Sequence, residues 1–197
     1  MKSVSSLKKR VLSCLIVLAF CFAWQGVACA AGRNVPKSLV RFTEKTLVAV
    51  GENPVVQGAV ESQNGQGMTL DAIKAKDVEW KASKGVEPYM AELMNSACAM
   101  ELMNFQKQHK YILEIFVMDN QGANVAMTNK TSDYWQGDEA KFIESFKGGA
   151  GAIHYGDVEF DESAKGFLVQ ISVPVKKAGA VIGAITFGVS IDEWENR

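Results

Sequence analysis

The spacing of hydrophobic residues changes from helical to extended near the middle of the chain. In the first half, apolar side chains recur every three to four residues, which is the period of an amphipathic helix. Pro36 fits the first turn of such a helix, and Thr69 fits an N-cap position. The pattern therefore predicts helices over residues 35–50, 54–61, 70–82 and 88–108.

Beyond residue 110 the apolar residues alternate or form short runs rich in β-branched and aromatic side chains, as in strands. Turn residues at 119–122 and 176–179 join neighbouring runs into hairpins. The pattern predicts strands over residues 111–118, 124–128, 153–160, 166–175 and 181–191, with a short helix over 138–146. Helices followed by strands predict an α+β domain, in which a long N-terminal helix and further helices pack on a five-stranded antiparallel sheet.

The last two predicted strands each have a large apolar face and a small-residue face. The apolar faces suit packing on the long helices, and they consist of Phe167, Val169, Ile171, Val173 and Val175, and of Val181, Gly183, Ile185, Phe187, Val189 and Ile191. The opposite faces consist of Leu168, Gln170 and Ser172, and of Ile182, Ala184, Thr186, Gly188 and Ser190. Such small side chains leave room for a pocket, with Gln170, Ser172 and Thr186 as hydrogen-bonding groups on its floor. The alternative is a face that is solvated, or that lets another element pack closely.

The first 30 residues have the pattern of an export signal. A basic segment ending at Arg10 precedes an uncharged, mostly apolar run over 11–24, and Ala28-Cys29-Ala30 matches a signal-peptidase site. We expect cleavage before Ala31 and a periplasmic protein. The alternatives are an uncleaved membrane anchor and a lipoprotein attached through Cys29.

Removal of this signal changes the charge and the cysteine content. The chain has 21 basic and 22 acidic residues, and four of the basic ones lie in the signal, so residues 31–197 carry a formal charge of −5. That balance does not suggest nucleic-acid binding. Cys98 is the one cysteine left, so no intramolecular disulfide can form and the core alone must stabilise the fold. The length, 167 residues, suits a single domain.

Two adjacent aromatic residues lie in a glycine-containing turn just before the predicted 138–146 helix. A turn does not require both Tyr134 and Trp135. We therefore expect them to stack on or enclose a ligand, a cationic amine included; ordinary core packing is the alternative. Asp133 and Asp138 are candidates for receiving an ammonium group, although an acid at 138 also suits a helix N-terminus.

The remaining reactive residues form no catalytic or metal-binding pattern in the sequence. His109 and His154 stand alone, and Cys98 is expected to be an inert buried thiol. Asp157 and Glu159 alternate along a predicted strand, which is more typical of a solvated acidic face than of a calcium loop. We therefore expect a protein that is not an enzyme and has neither cofactor nor metal.

Several segments resemble the single Cache domain, a PAS-like extracytoplasmic sensor fold that is also called a PDC sensor. The most specific segment is Thr-Ser-Asp-Tyr-Trp-Gln-Gly-Asp-Glu at 131–139, and the others are 114–122, 157–163, 169–174 and 182–188. The resemblance covers nearly all of residues 31–197. It implies a PAS-like domain that binds a small molecule, such as an amino acid or a carboxylate, and signals to a histidine kinase or chemoreceptor.

Two features differ from that family's pattern. The sequence ends at Arg197 without a membrane helix or output module, so we expect a stand-alone member that signals through another protein. Amino-acid-binding relatives place an Arg shortly before the aromatic pair to hold the ligand carboxylate, whereas Asp133 stands there in this chain and Lys130 is the nearest cation. Bidentate capture of a carboxylate is therefore not expected at that point.

The sequence leaves two functions open. The first is a periplasmic, non-enzymatic sensor module for a small molecule of the amino acid, amine or carboxylate class. The second is a structural protein that dimerises, for instance through the 35–50 helix, and whose pocket is filled by side chains. A void of more than roughly 300 Å³ beneath Tyr134 and Trp135 would favour the first, and filling by Met118, Met127 and Trp135 would favour the second.

Overall fold

A computed structural model of the chain describes residues 35–161 and 166–197. The predicted export signal, residues 1–30, and both anchor alternatives lie outside the described residues, so the periplasmic location stays a prediction. Among the helices of the described residues, none is both long and apolar enough to cross a bilayer.

The first predicted helix is one continuous rod with a π-helical centre. It consists of α1 (Lys37–Phe42), a π segment (Thr43–Leu47) and α2 (Val48–Gly51). The Thr43 hydroxyl donates to the carbonyl of Leu39 at 3.0 Å inside this rod. The next two helices, α3 (Pro54–Gly65) and α4 (Leu70–Ala82), are capped by Asn53 and, as predicted, by Thr69.

The predicted helix over 88–108 is two helices in the structure, α5 (Pro88–Asn95) and α6 (Ala97–Gln108). Ser96 separates them because its backbone is extended, with φ −64° and ψ 159°. Its hydroxyl accepts from the N–H of Ala99 at 3.1 Å, which is an N-cap. Hydrophobic spacing continues across this residue, so periodicity alone did not reveal the break.

The second half of the chain forms the predicted antiparallel sheet, with one strand more than expected. The strands are β1 (Ile112–Met118), β2 (Asn124–Met127), β3 (His154–Tyr155), β4 (Glu159–Asp161), β5 (Gly166–Lys177) and β6 (Ala180–Ser190). The order across the sheet is β2-β1-β6-β5-β3, and β4 pairs with the same long strand, β5. The predicted strand 153–160 is thus divided into β3 and β4. Helix α7 (Ala140–Phe146) precedes β3, and a final helix, α8 (Ile191–Glu195), was not predicted.

The apolar sheet face packs on the rod, α3 and α6, as predicted. Val169 and Ile171 of β5 and Phe187 of β6 are fully buried there against Leu39 and Leu102. Phe167 was expected to take part in this packing, and it does not. It is 48% exposed at the sheet's edge, where β4 pairs with β5 and its ring meets Phe160 edge-on at 5.6 Å.

The small-residue face carries a second core instead of facing water. Helices α4, α5 and α7 supply Ile73, Met90 and Phe142 to a cluster that also contains Phe116 of β1 and Ala184 of β6. The α+β prediction is therefore confirmed, with helices on both faces of the sheet. Small side chains on β5 and β6 let these helices approach closely, which was one of the alternatives for this face.

Candidate functional site

The loop that carries the aromatic pair is fastened to helix α4 by one buried carboxylate. Asp77, only 6% exposed, accepts hydrogen bonds from the N–H groups of Tyr134 at 2.8 Å and Trp135 at 3.1 Å. The Trp80 indole N–H donates to the carbonyl of Thr131 at 2.8 Å. Helix α4 therefore holds the loop from one side, while Asn124 of β2 binds the carbonyl of Asp133 at 2.9 Å from the other.

Tyr134 and Trp135 pack inward against the protein's own side chains. Tyr134 is 2% exposed, and its ring lies 5.7 Å from that of Trp80 in the same cluster as Met118 and Met127. Burial raises the pKa of Tyr134 to about 12, and Asp119 adds to the effect. The Trp135 indole N–H donates to the carbonyl of Gln121 at 2.8 Å.

Two lysines of α4 lie over the rings of the aromatic pair. The Lys74 ammonium is 4.6 Å from the centre of the Trp135 ring, and the Lys76 ammonium is 4.8 Å from that of Tyr134. These are cation–π distances. The position that the sequence suggested for a ligand amine is thus taken on both rings by cations of the chain itself.

Asp133 is joined to α4 through a lysine. The Lys81 ammonium lies 2.6 Å from Asp133 and 2.8 Å from Asp77. Burial raises the pKa of Asp133, but hydrogen bonds from Lys81 and Ser132 outweigh it and hold that pKa below its ordinary value. Asp133 therefore already has a cationic partner.

A row of three residues crosses the three middle strands of the sheet. Glu114 of β1, Gly188 of β6 and Gln170 of β5 are direct cross-strand neighbours. The Gln170 side chain donates to the Glu114 carboxylate at 3.1 Å, across the middle strand. A Cβ atom at Gly188 would lie only 2.5 Å from Cγ of Glu114 and 2.8 Å from its Oε1. Glycine at this position is therefore what allows the two side chains to meet.

A cleft of about 320 Å³ lies between the start of α7 and the edge of the sheet that β3 and β4 form. Its walls are formed by Glu139, Ala140 and Lys141 on the helix side, and by His154, Gly156, Asp157, Glu159, Phe160, Leu168 and Gln170 on the sheet side. The Lys141 ammonium is 2.9 Å from the Glu139 carboxylate and 5.4 Å from the centre of the Phe116 ring. The cleft thus combines charged groups with apolar wall, as ligand sites usually do.

A smaller space of about 50 Å³, which we call the inner chamber, adjoins the cleft. It is lined by Glu114, Phe116, Thr131, Ser132, Gln136, Lys141 and Gln170. Lys141 and Gln170 also line the cleft, so these two side chains stand between the two spaces. Gln136 is 1% exposed, and its Oε1 has no hydrogen-bond partner among the described residues.

The pKa of His154, which lies in the cleft wall, is lowered. Burial lowers its pKa from 6.5, while Glu144 and Asp157 act in the opposite direction without cancelling the effect. The neutral imidazole therefore dominates near pH 7, so Lys141 is the cationic group of the cleft.

Six residues were predicted from the sequence to bind a ligand, and the structure does not gather them in one place. Gln170 lines the cleft and the inner chamber. Ser172 and Thr186 are fully buried and hydrogen-bonded to each other at 2.7 Å. The other three, Asp133, Tyr134 and Trp135, lie in the loop that α4 holds. A ligand-binding role for the six stays a prediction.

Sequence reasoning missed Glu114, Gln136, Lys141 and His154 as cleft or chamber residues. The family pattern places the cation N-terminal to the aromatic pair, whereas Lys141 is C-terminal to it, on α7. Glu114 and Gln136 lie inside segments that carried the family resemblance, which was the available signal.

Other reactive groups of the described residues do not form a site. No group of three or more metal-ligating side chains is found within 35–161 and 166–197. Burial and the neighbouring Glu101 raise the pKa of the Cys98 thiol to about 12, as expected for an inert thiol. A groove of about 440 Å³ between α6 and β1 carries Lys107 and Lys110 but is shallower than the cleft.

Comparison with known proteins gives similarity to solved structures alone. No protein-family model and no curated protein matches the chain. The ligand-binding domain of the Campylobacter jejuni chemoreceptor Tlp3 in complex with 4-methylisoleucine is similar, with 16% sequence identity and a TM-score of 0.40 over 79% of this chain and 65% of that one.

Two further similar structures come from other bacteria. The ligand-binding domain of the Pseudomonas aeruginosa amino acid chemoreceptor PctC in complex with GABA has 12% identity and a TM-score of 0.37 over 77% of this chain and 62% of that one. The sensor domain of the Vibrio cholerae histidine kinase DctB has 12% identity and a TM-score of 0.35, over 79% and 60%. The chain spans less than two thirds of the length of each. All three are sensory domains of chemoreceptors or of a histidine kinase.

Proposed function

We propose that this chain is a periplasmic, non-enzymatic sensor module that binds a small molecule in the cleft between α7 and the outer edge of the sheet. The observation that carries the proposal is the cleft itself. It is a concave space of about 320 Å³ on which Lys141, His154 and Gln170 converge beside apolar wall. Its volume lies at the lower end of the range for small-molecule sites.

The position of the cleft suits a sensor. One wall is the first turn of α7, a helix of seven residues, and the other is the edge formed by the short strands β3 and β4. A ligand that contacts both walls would stabilise their separation, because it binds one arrangement better than others. A partner protein would then respond to the position of α7 or of the strand edge. We propose a membrane histidine kinase or chemoreceptor as that partner.

A thermal-shift screen of the full chain against amino acids, amines, carboxylates and purines tests the proposal. A ligand at a hundred times its dissociation constant should add about 2.7 kcal/mol to the free energy of unfolding, which is about 5–10 °C in Tm for a domain of this size. The shift should change in size in Lys141→Gln, which removes the ammonium group from the cleft wall, and stay the same in Trp135→Ala, which changes the loop. Loss in Trp135→Ala alone would move the site to the aromatic pair.

The structural alternative is a dimerisation module, and one observation favours it. Tyr134 packs in a cluster with Met118 and Met127, and Trp135 packs against the same cluster, so the aromatic pair does not cover a void. The outward positions of the N-terminal rod, however, include Lys37, Arg41 and Glu44, and charged residues are depleted in interface cores. Light scattering of the purified chain decides: a stable dimer that shows no shift with any compound supports the alternative.

A further inference from the structure

Several hydrogen-bond acceptors of the inner chamber have spare capacity. Gln136 Oε1 has no partner among the described residues, and the Glu114 carboxylate is bonded through one oxygen to Gln170. The Ser132 hydroxyl donates to Asp133 at 2.6 Å, which leaves its oxygen lone pairs available. The Lys141 ammonium also lines the chamber, and it lies 2.9 Å from the Glu139 carboxylate.

The orientation of the Gln136 amide is determined by its surroundings. Its Nε2 donates to the backbone carbonyl of Asp133 at 2.8 Å. Turning the amide over would place Oε1 against that carbonyl oxygen, with no proton between them. Oε1 is therefore committed to the role of an acceptor, and a buried acceptor without a partner costs about 1–3 kcal/mol.

The charged groups of the surrounding walls are mostly negative. Four carboxylates line the cleft and the inner chamber, those of Glu114, Glu139, Asp157 and Glu159, against the single ammonium of Lys141. A cleft lined mainly by one sign of charge concentrates ligands of the opposite sign. An anionic ligand would meet four like charges, whereas a cation would meet one.

We infer that the inner chamber binds a primary ammonium group, with its N–H bonds donated to Gln136 Oε1 and to the Glu114 carboxylate, while the rest of the ligand lies in the cleft. The inference rests on the proposed function, because it names the ligand end group that the same site takes. An ammonium carries three donors and no acceptor, which complements a chamber of acceptors. The ligand class is thus a primary amine, and the α-ammonium of an amino acid is a second source of the same group.

The size of the chamber adds a steric condition. The chamber, at about 50 Å³, is much smaller than the cleft of about 320 Å³. A compact ammonium fits that space. A trimethylammonium group is larger and has no N–H donor, so it cannot satisfy Gln136 Oε1.

A set of probes that share a four-carbon chain tests the inference by calorimetric titration of the full chain. The probes are n-butylamine, 1-butanol, butyrate, 2-aminobutyrate and N,N,N-trimethylbutylammonium. We expect n-butylamine to bind, and butanol, butyrate and the trimethyl compound to bind at least about tenfold more weakly, since a charge-assisted hydrogen bond is lost in each. The result for 2-aminobutyrate separates the two sources of the ammonium group.

Variants locate the binding. Glu114→Gln keeps an acceptor for Gln170 but removes the charge, and should weaken n-butylamine by about tenfold or more. Glu92→Gln is the matched control, because it removes one carboxylate from an exposed position on α5. Gln136→Met removes Oε1 at similar size. In an NMR spectrum, the Gln136 side-chain amide resonance should move on titration with the amine, which gives a readout that does not depend on this variant's folding.

Each outcome supports or overturns the inference. Binding of n-butylamine that Glu114→Gln weakens and Glu92→Gln does not supports it. Equal binding of the amine and the trimethyl compound, or equal loss in both carboxylate variants, reduces the effect to general surface charge and overturns it. Binding of butyrate without the amine overturns the inference but leaves small-molecule binding in place. If no compound of this set or of the wider screen binds, both the inference and the proposed function fail.

Discussion

Replacing Asp77 with alanine should release the aromatic loop from helix α4. The Asp77 carboxylate accepts from two backbone N–H groups, at 2.8 and 3.1 Å, and one of them belongs to the buried Tyr134. A hydrogen bond to a charged group contributes about 1.5–3 kcal/mol. The paired Lys81 is 52% exposed on its side chain, so that ion pair adds little.

The expected net loss is about 2.5–5.5 kcal/mol of unfolding free energy. Two hydrogen bonds to a charged group contribute about 3–6 kcal/mol together, and alanine returns about 0.5 kcal/mol because its helix propensity exceeds that of aspartate. Asp77→Asn keeps an acceptor oxygen without the charge, so we expect a smaller loss of about 1–2 kcal/mol. Urea unfolding followed by tryptophan fluorescence gives both values, with the midpoint lowered and the slope unchanged.

Glu79→Ala is the matched control, because Glu79 is exposed on the same helix and its change should stay within about 0.5 kcal/mol. A loss for Asp77→Ala that equals that of the control would refute the reasoning. In that case the loop would be held by its packing on Trp80 and not by the carboxylate.

Three further predictions follow from the geometry of the site and the core. Gly188→Ala should cost about 1–3 kcal/mol of unfolding free energy and weaken ligand binding, because its Cβ would displace Glu114; unchanged stability in urea unfolding would contradict this. The unfolded chain protonates His154 near its ordinary pKa of 6.5, whereas the folded chain does so only at lower pH, so stability should fall as the pH drops below 6.5. Thermal melts of His154→Gln should show a shallower fall, and parallel pH profiles would exclude the effect. In a protein of residues 31–197, where Cys98 is the one cysteine, its thiol has a pKa of about 12 and should react with a thiol reagent at pH 8 only after denaturation; rapid labelling of the folded protein would contradict its burial.

Element types were predictable because they depend on local spacing. The alternation in β5 and β6 correctly separated the face that buries Ile171 and Phe187 from the face that carries Ser172 and Thr186. Breaks that preserve the hydrophobic period were not predictable in this way. The single extended residue Ser96 divides a helix, and residues 156–158, which are not in strand conformation, divide a strand.

The partners of the aromatic pair could not be read from the sequence. Tyr134 and Trp135 were expected to face a ligand because a turn does not need them, yet the lysines over their rings come from α4, about sixty residues earlier. The contacts of Asp77 could not be predicted from the sequence either. Its spacing places it on a helix, but nothing local states that its carboxylate binds two N–H groups of a distant loop.

The sequence by itself determined the order and type of the elements and which face of the last two strands is apolar, because both follow from residue periodicity within one element. Only the tertiary structure decided where a ligand could lie. Glu114 and Gln170 are 56 residues apart and meet because β6 places Gly188 between their strands. Lys141 joins them from α7. Contacts between separate elements depend on strand order and helix packing, and a single sequence contains no local signal for either.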